Sequence, residues 1–430
     1  MSRTTLDASA ASHYAPTHHA APSRLTRIAA HPATALVGIL LVSLNMRASI
    51  SAVSPLLTNI SGSYGLSAAA GGLLTTLPVL MMGVVAPFVP KLVARFGPEQ
   101  VVLGALALLG LGVGVRVVSG PWALFAGSIV IGAAIALLNV TMPGLVKRDF
   151  PDRAATMTGV YSTAMIVGAT LAAALSVPME HVFGGWQGSM ASWSVLALVA
   201  AALWLPQVLN SRTQRAEARA GVAHRPTQNG DAHRMTGLWK HPLAWQLAVY
   251  MGMMSLLSYT LIAWLPTILT DHGMSRGTAG LIFAFSNLVQ VAGAFLIPLA
   301  AGRMTTQRPL VLLVVACNVI GIVGLIAAPV AGAWVWATLL GIAQGGGFGL
   351  ALAMIVLRSG GAGVASQLSG MSQMVGYFIA ACGPVGVGAL NQLTGGWTLP
   401  LVLLLVCCGI ALAAGLGAGR GVTLQAASVG

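Results

Sequence analysis

The chain has 430 residues, a mean hydropathy of +0.86 and only 7% charged residues, which excludes an ordinary soluble domain and leaves a polytopic membrane protein. Its net charge of +13 would suggest a nucleic-acid partner in a soluble protein. With the N-terminus placed in the cytoplasm, however, 18 of the 21 Lys and Arg fall on the cytoplasmic side, Arg116 and Arg276 fall outside, and Arg47 lies within a span. This asymmetry follows the positive-inside rule, puts both termini in the cytoplasm and makes the basicity topological, so no nucleic acid is expected as a partner.

Residues 1–32 are rich in Ala, Ser, Pro and Thr, carry His13, His18 and His19, and read as a disordered cytoplasmic arm without a signal-peptide apolar region. The first membrane helix is expected over about 33–58. It contains Asn45-Met46-Arg47, and Arg47 lies roughly 14 residues in, ~21 Å along a helix and near the middle of a ~30 Å hydrocarbon core. A guanidinium at that depth costs about 2.5–3.5 kcal/mol on insertion scales, so Arg47 has to face protein or a wet cavity. No acid occurs between Asp7 and Glu99 to pair with it locally. Asn45 is two residues away, about 200° round the helix, and serves either the same site or an interhelical hydrogen bond.

Further spans are expected at about 68–92, 100–118, 121–146, 154–178 and 188–206. Arg116, at the end of the third, is expected to snorkel to the outer surface. The fourth holds Asn139 and Thr141 before Pro143 and ends in Lys147-Arg148-Asp149; the fifth carries Tyr161. Residues 33–206 thus form a six-helix half, and the polar stretch 207–240, with six basic residues, reads as a cytoplasmic linker. The second half, 241–420, is expected to place helices at about 242–267, 278–301, 308–328, 332–356, 364–390 and 397–418, followed by a cytoplasmic tail, 421–430. Its buried polar groups are neutral, among them Tyr259, Gln290, Gln344, Gln373 and Tyr377.

The halves repeat. Pro55 matches Pro266, Thr158-Gly159 matches Ser369-Gly370 and Gly185-Trp186 matches Gly396-Trp397 at an offset of 211; Arg148 matches Arg358 at 210, and Gly65-Leu66-Ser67 matches Gly273-Met274-Ser275 at 208. Two six-helix halves in the same orientation imply a parallel repeat with a site between them near the midplane. The expected fold class is therefore an all-α membrane protein of twelve transmembrane helices in two parallel six-helix repeats.

Twelve spans, a central linker and the basic turn Lys91-Leu92-Val93-Ala94-Arg95-Phe96-Gly97 resemble the major facilitator superfamily over roughly 33–420. The turn lacks the Asp of that superfamily's signature, so its usual gating contact is not assigned. More narrowly, Asn45-Met46-Arg47 with Ser54-Pro55-Leu56-Leu57, Lys147-Arg148-Asp149-Phe150-Pro151, Ala263-Trp264-Leu265-Pro266-Thr267-Ile268-Leu269 and Thr394-Gly395-Gly396-Trp397 resemble the cyanate and 2-nitroimidazole transporter family. That family commonly has Pro after the Arg, where this chain has Ala48. The resemblance implies transport, and it implies that helices 5, 8 and 11 line the cavity, which brings Tyr161, Gln290, Gln373 and Tyr377 to the site beside Arg47, Asn45 and Asn139.

A midplane guanidinium offers paired donors to carboxylate-like, nitro or cyanate atoms, so a small anionic or strongly dipolar solute is the expected substrate. Trp264 reads as either an interfacial anchor or a cavity wall. Lys147, Arg148, Asp149 and Arg153 are expected to pair at an inner gate, and Asp271 with Arg276 at an outer one. All eight acids read as loop, tail or helix-end residues, which disfavours a carboxylate proton relay and leaves facilitated diffusion, anion exchange and co-movement of a proton on the substrate open. Cys317, Cys382, Cys407 and Cys408 read as packing residues, and no metal or cofactor is expected. Enzyme motifs such as HExxH, GxSxG and a Walker loop are missing from the sequence. Efflux of drugs or metabolites and a non-transporting sensor are the alternative functions, and a monomer is expected because the pathway lies within one chain.

Overall fold

The computed structural model describes residues 32–66, 68–118, 120–219 and 237–424, so the N-terminal arm, the middle of the linker and the end of the tail lie outside the described residues. Twelve helices among these are long and apolar enough to cross a membrane. In the first half they are α1 (Leu36–Leu57), α2 (Thr76–Phe96), α3 (Pro98–Arg116), α4 (Pro121–Asp149), α5 (Pro151–Val182) and α6 (Trp186–Ser211). The second half supplies α7 (Pro242–Asp271), α8 (Gly277–Ala301), α9 (Arg308–Ala327), α10 (Ala333–Leu357), α11 (Ala362–Thr394) and α12 (Thr398–Ala418). The helix of α6 runs on to Arg219, into the stretch expected as linker.

Local chemistry sets many of the ends. Proline opens α3, α4, α5, α7 and α9 at positions where its missing N–H has no helical partner to lose. Pro55 lacks the N–H that Ser51 O would accept, and the first helix is interrupted there, running Pro32–Ser51 and then Val53–Tyr64. The repeated Gly65 and Gly273 both take the left-handed backbone, φ 63° and 91°, that turns the chain after α1 and α7.

The two halves share one plan. Within the first, α1 packs on α5, α2 on α4, and α3 on α4 and α6; within the second, α7 packs on α11, α8 on α10, and α9 on α10 and α12. The repeated tryptophans show the same correspondence: Trp186 Nε1 donates to Ser63 Oγ at 3.1 Å, and Trp397 Nε1 donates to Asp271 Oδ2 at 2.9 Å, each reaching the last helical turn at the end of its half's first span.

Between the halves, α11 packs on α2 and α4, and α5 packs on α8. Two of the approaches across these seams use carbonyls released by proline, because a proline cannot donate to the residue four before it. Pro143 releases Asn139 O, which accepts from Gln373 Nε2 at 2.9 Å. Pro298 releases Ala294 O, which lies 3.1 Å from Ser162 Oγ; that hydroxyl also lies 2.8 Å from Thr158 O, and its one proton serves one acceptor at a time. Ala86 O accepts from Val89 N in a short 3-10 turn just before Pro90, and Gly370 packs on it so closely that a methyl there would stand 3.0 Å from the oxygen. A methyl at Gly144 would likewise stand 3.2 Å from Ala362 O. All four approaches fall in the halves of the helices nearest one end of the bundle. That end carries Lys91, Arg95, Lys147, Arg148, Arg153, Lys240, Arg303, Arg308, Arg358 and Arg420 and is referred to below as the basic end.

Candidate functional site

The site forms where α1, α4, α7, α10 and α11 meet. Arg47 projects from the first half between aromatic rings of the second, its guanidinium carbon 5.8 Å from the ring centre of Tyr259 on α7 and 5.4 Å from that of Phe348 on α10. Among the described residues the ion pairs are those of Arg148 with Glu99 and with Asp149, and Arg47 has no hydrogen-bond partner. Two cation–π contacts recover about 0.5–1 kcal/mol each at a partly exposed site, less than the cost of placing the cation there. The rings therefore hold the guanidinium without neutralising it, and its donors stay available.

A polar group spanning the halves adjoins it. Asn139 Nδ2 donates to Tyr377 Oη at 3.2 Å, and Gln373 Nε2 donates to Asn139 O and to Ser369 Oγ at 2.8 Å. Tyr377 is within electrostatic reach of Arg47, Tyr259 and Tyr161. The buried Tyr161 Oη and Gln373 Oε1 have no partner among the described residues, which leaves one donor–acceptor and one acceptor unused. Asn139, Gln373 and Tyr377 are thus linked by hydrogen bonds, with Arg47 and Tyr161 in the neighbourhood of Tyr377.

Three residues expected at the site make contacts of their own. Asn45 turns toward α6, its amide donating to Leu41 O at 2.9 Å and Leu196 O at 3.1 Å, which is the interhelical role of the two that its position allowed. Gln290 Nε2 meets Gln344 Oε1 at 3.4 Å between α8 and α10. Trp264 lies against Trp397, ring centres 5.5 Å apart, and donates to Pro384 O at 2.9 Å, toward the end of α7 opposite the basic end.

Of the expected inner-gate charges, Arg148 and Asp149 pair, within the first half. Arg148 binds Glu99 of α3 and grips its neighbour Asp149 through Nε at 2.6 Å and Nη2 at 3.1 Å. Lys147 is half-buried and Arg153 exposed, and neither side chain has a polar partner among the described residues. Glu99, 6% exposed, had read as an ordinary helix-end acid. The repeat holds the signal for it: Glu99 and Gln307 are 208 apart, and Arg358 pairs with Gln307 as Arg148 pairs with Glu99. Asp271 binds Trp397; the side chain of Arg276 lies outside the described residues.

Arg116 corrects an expectation. It does not snorkel outward but is 2% exposed, donating through Nε and Nη2 to Ser128 Oγ at 3.1 and 2.9 Å and through Nη1 to Ser49 O at 2.8 Å. Gly127 makes the room, since a methyl there would come within 2.6 Å of Arg116 Cγ. Arg116 thereby ties α3 and α4 to α1 two residues from Arg47.

Twelve apolar helices in two like halves, with an uncompensated cation and polar groups where the halves meet, define a membrane transporter of the two-halved class. The chain belongs to the Major Facilitator Superfamily, whose family model matches residues 39–384, and it is accordingly a secondary transporter. Its relatives include the 2-nitroimidazole transporter of Escherichia coli, 38% identical over 385 residues and covering 90% of this chain and 95% of the relative. The cyanate transport protein CynX of Escherichia coli is 29% identical over 373 residues, covering 86% and 94%. An uncharacterised transporter of Bacillus subtilis is 37% identical, covering 90% and 93%. The solved structure of the proton:xylose symporter XylE bound to 6-bromo-6-deoxy-D-glucose shares the fold, with a TM-score of 0.69 over 91% of this chain and 97% of that one at 13% identity. A twelve-span protein of this bacterial transporter family resides in the inner membrane.

Proposed function

We propose that the chain moves a small anionic or strongly dipolar solute, of the cyanate, nitro-compound or small organic-anion class, by alternating access around Arg47. The observation that carries this reading is the Arg47 guanidinium, lodged between Tyr259 and Phe348 with no carboxylate facing it among the described residues. A hydrogen bond to a charged group contributes about 1.5–3 kcal/mol, more than either ring contact, so an anion or a nitro group is the complement that the site lacks. Tyr161 Oη and Gln373 Oε1 offer further polar atoms to such a solute. The named relatives handle 2-nitroimidazole and cyanate, both small and rich in acceptor atoms.

The seams at Asn139, Ala294, Ala86 and Gly144 close the basic end, which supports reading this conformation as open toward the opposite end. With the basic end cytoplasmic, by the positive-inside rule, it faces outward. Asn45 and Arg116 act by holding α1; the Arg148 cluster braces α3 against α4 at the closed end. Uptake of labelled cyanate and of 2-nitroimidazole into proteoliposomes tests the reading. Arg47→Ala abolishes uptake and Arg47→Lys, which keeps the charge but loses the planar fork, reduces it; unchanged uptake of every substrate in both variants overturns it.

A further inference from the structure

The cations of the basic end are unequally provided for in the two halves. In the first half Arg148 is held by Glu99 and Asp149, and Asp152 adjoins Arg153. In the second half the only acid among residues 237–424 is Asp271. It stands at the far end of a 30-residue helix, ~45 Å from the basic end at about 1.5 Å per residue. Lys240, Arg303, Arg308, Arg358 and Arg420 therefore share the basic end of this half with no carboxylate among its described residues.

Arg358 is buried and engaged through Nε and Nη2, donating to Gln307, to Ala418 O at 3.2 Å and to Gly419 O at 3.2 Å. Arg308 commits only Nε, to Leu416 O at 3.1 Å, and its terminal nitrogens are free. Lys240, Arg303 and Arg420 are exposed, with no side-chain partner among the described residues. Close packing brings the start of α7 and the α8–α9 turn, which carry or adjoin these cations, against the end of α12: Gly417 lies directly on the Gln246 side chain of α7, and a methyl at Gly421 would stand 3.3 Å from Thr305 O in the α8–α9 turn. Beside Lys240 stands a pair of exposed tryptophans, Trp239 and Trp245, edge to face at 5.9 Å, with Trp245 Nε1 donating to Trp239 O at 2.7 Å.

We propose that this rim, Lys240, Arg308 and Arg420 with Trp239 and Trp245 beside them, binds the headgroup of an anionic phospholipid. Free guanidinium nitrogens and an ammonium match phosphate oxygens, and indole rings seat at the headgroup level where the acyl chains begin. Basic groups at the ends of spans attract acidic lipids, and nothing in this half competes for them. The site is independent of the solute carried and of the direction in which the end faces.

The test uses the purified full chain in detergent with added phosphatidylglycerol, phosphatidylcholine or inorganic phosphate. Phosphatidylglycerol raises the unfolding midpoint by about 2–4 °C, as a ligand bound only by the folded state does, and the other two leave it in place. The triple variant Lys240→Gln, Arg308→Gln, Arg420→Gln loses the rise, whereas Lys91→Gln, Arg95→Gln, Arg153→Gln on the first half keeps it. If the rim triple does not fold, Lys240→Gln and Arg420→Gln singly each lose part of it, and added salt erases it in the unaltered protein. A rise that survives the rim substitutions, that the first-half triple also loses, or that inorganic phosphate reproduces overturns the proposal.

Discussion

The seam between α4 and α11 depends on a carbonyl that exists as an acceptor only because Pro143 is where it is. Asn139 O takes Gln373 Nε2 at 2.9 Å, and Gln373 Nε2 is also shared with Ser369 Oγ at 2.8 Å. Replacing Gln373 by Leu in the unaltered chain strands a buried carbonyl, which costs about 1–3 kcal/mol. In a Pro143→Ala background the alanine N–H closes the helical bond to Asn139 O, so the same Gln373→Leu change leaves no orphan and costs mainly the shape difference. The coupling between the two substitutions is therefore about 1–2 kcal/mol, within the range of residues that share a partner. With unfolding entropy near 2.1 cal/mol/K per residue, 1 kcal/mol corresponds to about 1 °C in a chain of this length. Thermal unfolding of the four proteins in one detergent gives the cycle. Equal losses for Gln373→Leu with and without Pro143 refute the reasoning, because they mean that the released carbonyl contributes nothing to the seam.

Other consequences follow from the same geometry. Ser128→Ala orphans two donors of the buried Arg116 and destabilises by about 2–4 kcal/mol, whereas Arg116→Met removes the charge with its bonds and is close to neutral; denaturant midpoints check the order, and the double variant resembles Arg116→Met. Glu99→Ala leaves the half-exposed Arg148 with Asp149 alone and costs about 1–2 kcal/mol after solvent screening, a loss that Glu99→Gln largely avoids; thermal midpoints of the two variants check this. Gly370→Val drives a side chain into the Ala86 carbonyl and loosens the basic end, so a cysteine placed at buried Ser366 reacts faster with a soluble thiol reagent in the valine background than without it. Tyr377→Phe removes the oxygen that accepts from Asn139 and weakens solute binding by a few-fold, about 1 kcal/mol, as isothermal titration of 2-nitroimidazole reads it.

Helix number and placement were legible because a span needs about 20 apolar residues and this chain separates its spans with prolines, glycines and charges. The repeat was legible because Trp186 and Trp397, or Gly65 and Gly273, solve the same local problem twice. Azimuth was harder to read. A long side chain near a helix end can reach either solvent or a notch on its neighbour, and only the room left at Gly127 decides that Arg116 goes inward. Asn45 had the polarity of a site residue, yet its amide is consumed by α6 and by its own helix, while Gln290 reaches only across to Gln344 of α10. Phe348 carries no polar signal within an apolar helix and emerges only from the position of the Arg47 guanidinium. The pairing of Glu99 with Arg148 was available from the repeat through its counterparts Gln307 and Arg358, but it needed the two helix ends to be placed side by side.

The central claim is that the Arg47 guanidinium awaits the solute. Equilibrium binding of cyanate and of 2-nitroimidazole to purified protein, compared between the unaltered chain and Arg47→Met, tests it without recourse to transport rates. A lost charge-assisted hydrogen bond of about 1.5–3 kcal/mol predicts affinity weaker by roughly 10- to 150-fold for the solute that the protein carries. Binding of a carried solute with the same affinity by both proteins would contradict the claim and leave Arg47 a structural cation held by Tyr259 and Phe348.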